Sequence, residues 1–144
     1  MYKIVKFDIS DKELSKIAFE IRNKVFVIEQ KVDPKLEYDE YEEFAIHYLA
    51  YYENTAVATA RWRHTDHGIK LERFATLKEY RNKGVGAAIL KEVLKDVLPH
   101  PVTIYLHAQL PAVRFYERHG FSKEGEIFYE ANMAHYKMVY TDRK

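Results

Sequence analysis

The chain contains no cysteine, which excludes a disulfide framework, a thiolate zinc site and a cysteine nucleophile. Excess charge of either sign is also missing. Twenty-three Lys and Arg face 22 Asp and Glu for a formal charge of +1, which argues against a dedicated nucleic-acid binder. No apolar run approaches the length of a membrane span. The amino terminus, Met1 to Ile9, alternates apolar and polar residues and lacks the apolar stretch of a signal peptide. A cytoplasmic protein with neither a nucleic-acid nor a membrane partner is the expectation. Seven histidines are present, but none forms an H-x-x-x-H pair. His64 and His67 flank Asp66 in a probable turn, so no metal is expected. No internal repeat, linker or low-complexity tract interrupts the chain. Aromatics, by contrast, are plentiful: twelve tyrosines and eight phenylalanines suit a compact core with a lined cleft. A length of 144 residues fits one domain spanning residues 1–144.

The pattern along the chain alternates between strand and helix periods. Tyr2 to Ile9 reads as a strand. Ser10 or Asp11 caps a helix in which Leu14, Ile17, Ala18, Ile21, Val25 and Ile28 share a face. An irregular acidic segment, Lys31 to Glu43, follows. Phe44 to Tyr52 and Ala56 to His64 read as strands joined at Glu53-Asn54-Thr55, and Ile69 to Thr76 as a fourth strand. A helix begins at Val85 and buries Ile89, Leu90, Val93, Leu94 and Val97. A fifth strand carries Val102, Ile104 and Leu106. Pro111 opens a short helix that ends at Gly120. Two strands close the chain, about Phe121 to Tyr129 and His135 to Tyr140. The order β-α-β-β-β-α-β-α-β-β predicts an α/β domain with a mixed sheet and helices on its faces.

Between the fourth strand and its helix stands Arg81-Asn82-Lys83-Gly84-Val85-Gly86-Ala87. The first N–H groups of a helix have no partner within it, and the helix dipole adds positive charge there. A basic, glycine-punctuated turn at such a junction holds phosphate. Gly84 and Gly86 let backbone approach a ligand, and Arg81 and Lys83 supply charge. The spacing RxxGxG is neither the P-loop nor the dinucleotide fingerprint.

The phrases LERFATLKEYRNKGVGAAIL, VTIYLHAQ and PAVRFYERHGF together resemble the GNAT N-acetyltransferases. The likeness runs over essentially the whole chain, and IRNKVFVIEQ and FYEANMAHYKM are closest to the small bacterial ElaA-like branch. The resemblance implies a mostly antiparallel GNAT sheet, with acetyl-coenzyme A as donor and a primary amine of a small molecule or peptide as acceptor. It puts the donor's pyrophosphate on Arg81, Asn82, Lys83, Gly84, Val85, Gly86 and Ala87, and its pantetheine arm along Phe74, Ala75 and Thr76. Gln109, Ala112 and Phe115 would also border the donor. An extended amide-bearing arm gains main-chain hydrogen bonds from a splayed strand edge. A backbone N–H near Phe74 or Ala75 would stabilise charge developing on the thioester carbonyl. Arg73 and Lys78 lie close enough in sequence to serve the phosphates, or are ordinary surface charges.

Two proton movements are required. The resemblance makes Glu72 the general base and Tyr116 the general acid. Each has a plainer reading: Glu72 as the partner of Arg61 or Arg63 on the next strand, and Tyr116 as a core aromatic. Arg22, Phe26, Glu29, Gln30, His107 and His135 are the candidates for touching the acceptor. The carboxylates of residues 33–43 would draw a cationic amine if they formed an acidic lip, and are a solvated run otherwise. Family members often form homodimers through sheet edges or late strands, which points to Phe128, Tyr129, Tyr136 and Tyr140. Two alternatives stand beside the enzyme reading: a non-catalytic acyl-coenzyme A sensing module, and an acetyltransferase for amino sugars or their phosphates.

Overall fold

A computed structural model describes residues 2–143. Seven strands form one sheet in the order β1-β2-β3-β4-β5-β7-β6. They are β1 Tyr2–Phe7, β2 Ile46–Tyr52, β3 Thr55–Thr65, β4 Gly68–Thr76, β5 Ile104–Gln109, β6 Phe121–Glu130 and β7 Met133–Tyr140. Neighbouring strands run antiparallel except β4 and β5, which are parallel. The helices are α1 Lys12–Arg22, α2 Pro34–Glu37, α3 Val85–Val97 and α4 Val113–Arg118. This is the mixed, mostly antiparallel α/β sheet expected from the order of elements.

Strand alternation divides the core in two. One face carries Tyr48, Ala58, Ala60, Trp62, Leu71, Leu106 and Met138 against Val85, Ile89, Leu90, Val93, Leu94 and Val97 of α3. Each such aliphatic side chain contributes about 2 kcal/mol by leaving water. The other face packs Phe7, Leu49 and Ala75 against Ala18 and Ile21 of α1 and Val25 and Phe26 beyond it. Farther across this second face the inward positions turn polar. The registers Arg61↔Glu72, Arg63↔Lys70, Lys70↔Tyr105 and Gln109↔His135 place Arg61, Arg63, Lys70, Glu72, Gln109 and His135 on one side of β3, β4, β5 and β7. A polar stripe on an inward face marks where something other than a helix is to be covered.

The larger departures from the sequence pattern lie between Asn23 and Phe44, while β1, β5 and α4 differ by two residues at one end. The first helix changes at Asn23 into a π-helical segment, Asn23–Glu29, a widened turn common beside functional sites. Residues 31–43 are folded: Asp33 caps α2, and Asp39 and Glu42 form a capping box on a 3-10 turn, Glu40–Phe44. That turn displaces Phe44 from the strand and leaves it 71% exposed. Among the described residues no helix is long and apolar enough to cross a membrane.

Candidate active site

The site is a fork in the sheet. β4 and β5 pair only over Ile69–Leu71 with Ile104–Leu106, after which β4 stays with β3 and β5 with β7. At the fork β4 carries a bulge opposite Ala60, where Arg73 adopts φ 57°. Such a conformation is unfavourable for a side chain with a Cβ. The Arg73 guanidinium anchors it by bonding Leu36 O, Glu37 O and Asp39 Oδ2. Beyond the bulge, the edge of Phe74, Ala75 and Thr76 that faces β5 is free of strand partners. A cavity of about 1000 Å³ fills the fork, bordered by these three residues, Gln109, Ala112, Phe115 and Tyr116.

The same cavity reaches the start of α3, with Asn82, Gly84, Val85, Gly86 and Ala87 on its wall. Gly84 is the N-cap at φ 83° and offers no side-chain cap to the helix. The first-turn N–H groups therefore point into the cleft without a side-chain acceptor. A Cβ at Gly84 would touch nothing within 4 Å, whereas one at Gly86 would lie 3.5 Å from Phe115. Gly84→Ala should therefore cost about 1–2 kcal/mol through backbone conformation alone, read as a shift in the denaturation midpoint at unchanged slope.

Both basic residues of the turn also make contacts within the protein, and Arg81 lines the cavity. Arg81 makes a two-pronged ion pair with Glu29, at 2.6 and 2.7 Å, and donates through Nε to Thr76 O. The Glu29 hydrogen bond raises its pKa further. Arg81 thus ties the turn to β4 and the π segment, and its charge is spent on Glu29. Lys83 holds the turn through its carbonyl, which accepts from the Tyr2 hydroxyl at 2.7 Å.

Glu72 lines the cavity but lies deep in an ion cluster. Its carboxylate meets Arg61 at 2.9 Å, Arg63 at 2.8 Å and Lys70 at 3.2 Å. Burial alone would raise its pKa. The Arg63 hydrogen bond and the charges of Arg61, Lys70 and Arg63 outweigh that and hold it at about 2. The pairing with Arg61 and Arg63 is the plainer of the two sequence readings, and a carboxylate so stabilised is a weak proton acceptor. Tyr116 is buried against Phe74, Phe115 and Phe121, and burial pushes its pKa upward. Among the described residues its hydroxyl has no protein hydrogen-bond partner, and it borders the cavity.

Arginines pin the acidic segment at three of its carboxylates, Glu37, Asp39 and Glu42, while Asp33, Glu40 and Glu43 are exposed. Arg22 bonds Glu37 Oε1 at 2.6 Å and both oxygens of Glu42, while Arg61 grips Asp39 and Glu42. Arg22 is 1% exposed and lies against the rings of Phe19 and Tyr38, so it holds the segment down and does not border the cavity. Phe26 and Gln30 do border it. The Gln30 and Gln109 side-chain amides bond one another at 2.9 Å across the fork.

The residue that sequence reasoning missed is Glu130, the last of β6. A two-residue turn at Ala131 and Asn132, both with positive φ, folds it back beside His135. His107 Nδ1 lies 3.1 Å from Glu130 Oε2, and His135 Nε2 lies 3.9 Å from Oε1. Phe128 packs against both imidazoles, at 4.9 and 5.8 Å, so it belongs to this cluster. The His107 hydrogen bond lowers the Glu130 pKa, burial opposes, and the charges of His107, Lys70 and His135 add to the lowering. A glutamate directly before an Asn-containing hairpin turn was the available signal, but only pairing of β6 with β7 aims it at two histidines.

Comparison with known proteins agrees with the fold. A family model described as an acetyltransferase (GNAT) domain matches residues 8–141. The chain is 37% identical over 131 residues to YjcF of Bacillus subtilis, an uncharacterized N-acetyltransferase, covering 90% of this chain and 94% of that protein. ElaA of Escherichia coli shares the fold with a TM-score of 0.84 at 24% identity, covering 96% of this chain and 99% of that one. A GNAT family acetyltransferase from Elizabethkingia anophelis, solved with acetyl-CoA bound, superposes with a TM-score of 0.67 at 17% identity over 96% of this chain and 94% of that one.

Proposed function

This chain belongs to the GNAT acetyltransferase family, and from that membership we propose that it acetylates a primary amine by direct attack within a ternary complex. The observation that carries the proposal is the fork of β4 and β5 opening onto the uncapped first turn of α3. Both features fit acetyl-coenzyme A: N–H groups for its pyrophosphate, and an unpaired strand edge at Phe74–Thr76 for its amide-bearing arm. Bound there, acetyl-coenzyme A supplies an activated acetyl thioester. A backbone N–H at the bulged Phe74 or Ala75 would stabilise negative charge on the acyl oxygen. Holding both reactants in one cavity supplies rate by proximity.

The proton acceptor in this proposal is His135. A carbonyl only accepts, so the 2.8 Å contact of His135 Nδ1 with Met133 O puts the ring proton on Nδ1 and leaves Nε2 a lone pair. Glu130, 3.9 Å from Nε2, would stabilise the imidazolium that forms, much as a carboxylate does in a catalytic triad. His107 positions Glu130 by donating from Nδ1. Glu72, expected as the base, is assigned instead to holding Arg61, Arg63 and Lys70 in place. Tyr116 would donate to the departing thiolate, since its raised pKa keeps the phenol protonated.

The test is release of free thiol from acetyl-coenzyme A with a pooled panel of amines, beside calorimetric binding of the donor. Binding with no turnover across the panel would turn the assignment to a non-catalytic acyl-coenzyme A sensor. Tyr116→Phe keeps the packing and removes one hydrogen bond to a charged leaving group. Its kcat should fall by about 10–100-fold. Unchanged kcat would make Tyr116 a core residue only.

A further inference from the structure

The acceptor end of the cavity segregates its charges. Glu37, Asp39 and Glu42 are taken up by Arg22, Arg61 and Arg73. Arg63 and Lys70 line the cavity, and Glu72 is their only carboxylate within ion-pair distance among the described residues. Glu72 is shared with Arg61 as well. One carboxylate against two cavity-facing cations leaves this wall with surplus positive charge. Tyr41 fixes the Arg63 guanidinium from one side, its ring 3.8 Å away, so the group is pre-set to meet an anion.

The adjoining wall has the reverse character. Glu130 is 45% exposed at the side chain, and among the described residues its carboxylate accepts a hydrogen bond only from His107. Its Oε1 and the His135 Nε2 lone pair face each other 3.9 Å apart. Two acceptors at that spacing are matched by a donor lying between them, and an ammonium carries three N–H groups. Among the described residues no group of three or more His, Cys, Asp or Glu is arranged to hold a metal ion. Lys70 pairs across to Tyr105, whose ring lies 6.1 Å from that of His107, the partner of Glu130, so the cationic and anionic walls are neighbours.

We infer that the acceptor is an amine bearing an acidic group, carboxylate or phosphate, a few bonds away, with its ammonium between Glu130 and His135 and its acid against Lys70 and Arg63. A polyamine or basic peptide would instead bring a second cation against Lys70 and Arg63. The inference rests on the acetyl-transfer reading for the identity of the reacting amine, but it is a statement about binding and is tested as one.

The protein saturated with coenzyme A, which carries no acetyl group to transfer, is titrated with four small probes. They are β-alanine, its amide, O-phosphoethanolamine and 1,3-diaminopropane, and binding is followed by NMR of the His107 and His135 rings. The better acid-bearing probe should bind at least about tenfold tighter than the amide and the diamine, and which of the two wins distinguishes carboxylate from phosphate. Lys70→Gln and Arg63→Gln should each erase the preference while leaving coenzyme A affinity unchanged. Equal or tighter binding of the amide or diamine overturns the inference, as does a preference that survives both substitutions or probes that leave both rings unperturbed. The preference together with no transfer from acetyl-coenzyme A would overturn the transfer reading alone. Transfer without the preference would overturn only this inference.

Discussion

His135→Gln should lower kcat by about 10²–10⁴, the range for removing a general base, with the dissociation constant of acetyl-coenzyme A changed by less than about threefold. The split follows from position. His135 sits on β7 at the acceptor end, paired across to Gln109, while the donor's phosphates would lie on the first turn of α3. Glutamine keeps a donor for Met133 O and much of the contact with Phe128, so the fold is retained. His135→Ala provides a control, because it opens space beside Phe128 that free imidazole fits. Recovery of part of the rate on adding imidazole is expected for a lost proton acceptor. A glutamine variant with wild-type kcat would remove His135 from the chemistry. An alanine variant that is slow, folded and not rescued would make it a positioning residue.

The second large effect is on stability. Glu72→Gln leaves Arg61, Arg63 and Lys70 without their shared carboxylate, and breaking a buried ion cluster in this way costs about 3–5 kcal/mol. Linkage sets its pH dependence. The folded pKa of Glu72, about 2, lies below the unfolded value of roughly 4.3. The stabilisation is therefore fully present above the unfolded pKa and is lost as pH falls toward the folded one. That difference corresponds to roughly 3 kcal/mol at neutral pH. Denaturant titrations should show the wild type well above Glu72→Gln at pH 7, with the gap closing as pH drops from about 5 to 2. A Glu72→Gln protein of wild-type stability whose kcat has fallen by about 10²–10⁴ would restore the general-base role that the family resemblance implied.

How much of this was legible depends on the range of the interactions involved. The order of strands and helices was readable because periodicity and turn chemistry lie within short windows. Ile89, Leu90, Val93, Leu94 and Val97 mark the buried face of α3 as expected. The α-to-π change at Asn23 was not readable, since apolar spacing continues through it to Val25 and Ile28, whereas the π segment buries Val25 with Phe26 and leaves Ile28 exposed. Charge roles were the least readable. Arg22 was expected to border the acceptor, yet it lies under α2 with Glu37 and Glu42. Arg81 was expected to serve phosphate, yet its partner is Glu29, far away in sequence.

The RxxGxG turn, the strand before it and the Phe115-Tyr116 helix by themselves pointed to an α/β domain of the GNAT acetyltransferase family. Helix starts, glycine conformations and strand alternation are local, so neighbouring residues specify them. Tertiary structure alone decided which carboxylates are spent and which remain free to act. A charge takes its character from burial and from whatever a distant strand places beside it. Glu72 and Glu130 are the same residue type, one in the middle of β4 and the other at the end of β6, and both border one cavity. The first is surrounded by three cations and the second faces two histidines and solvent, partners that neither local sequence names.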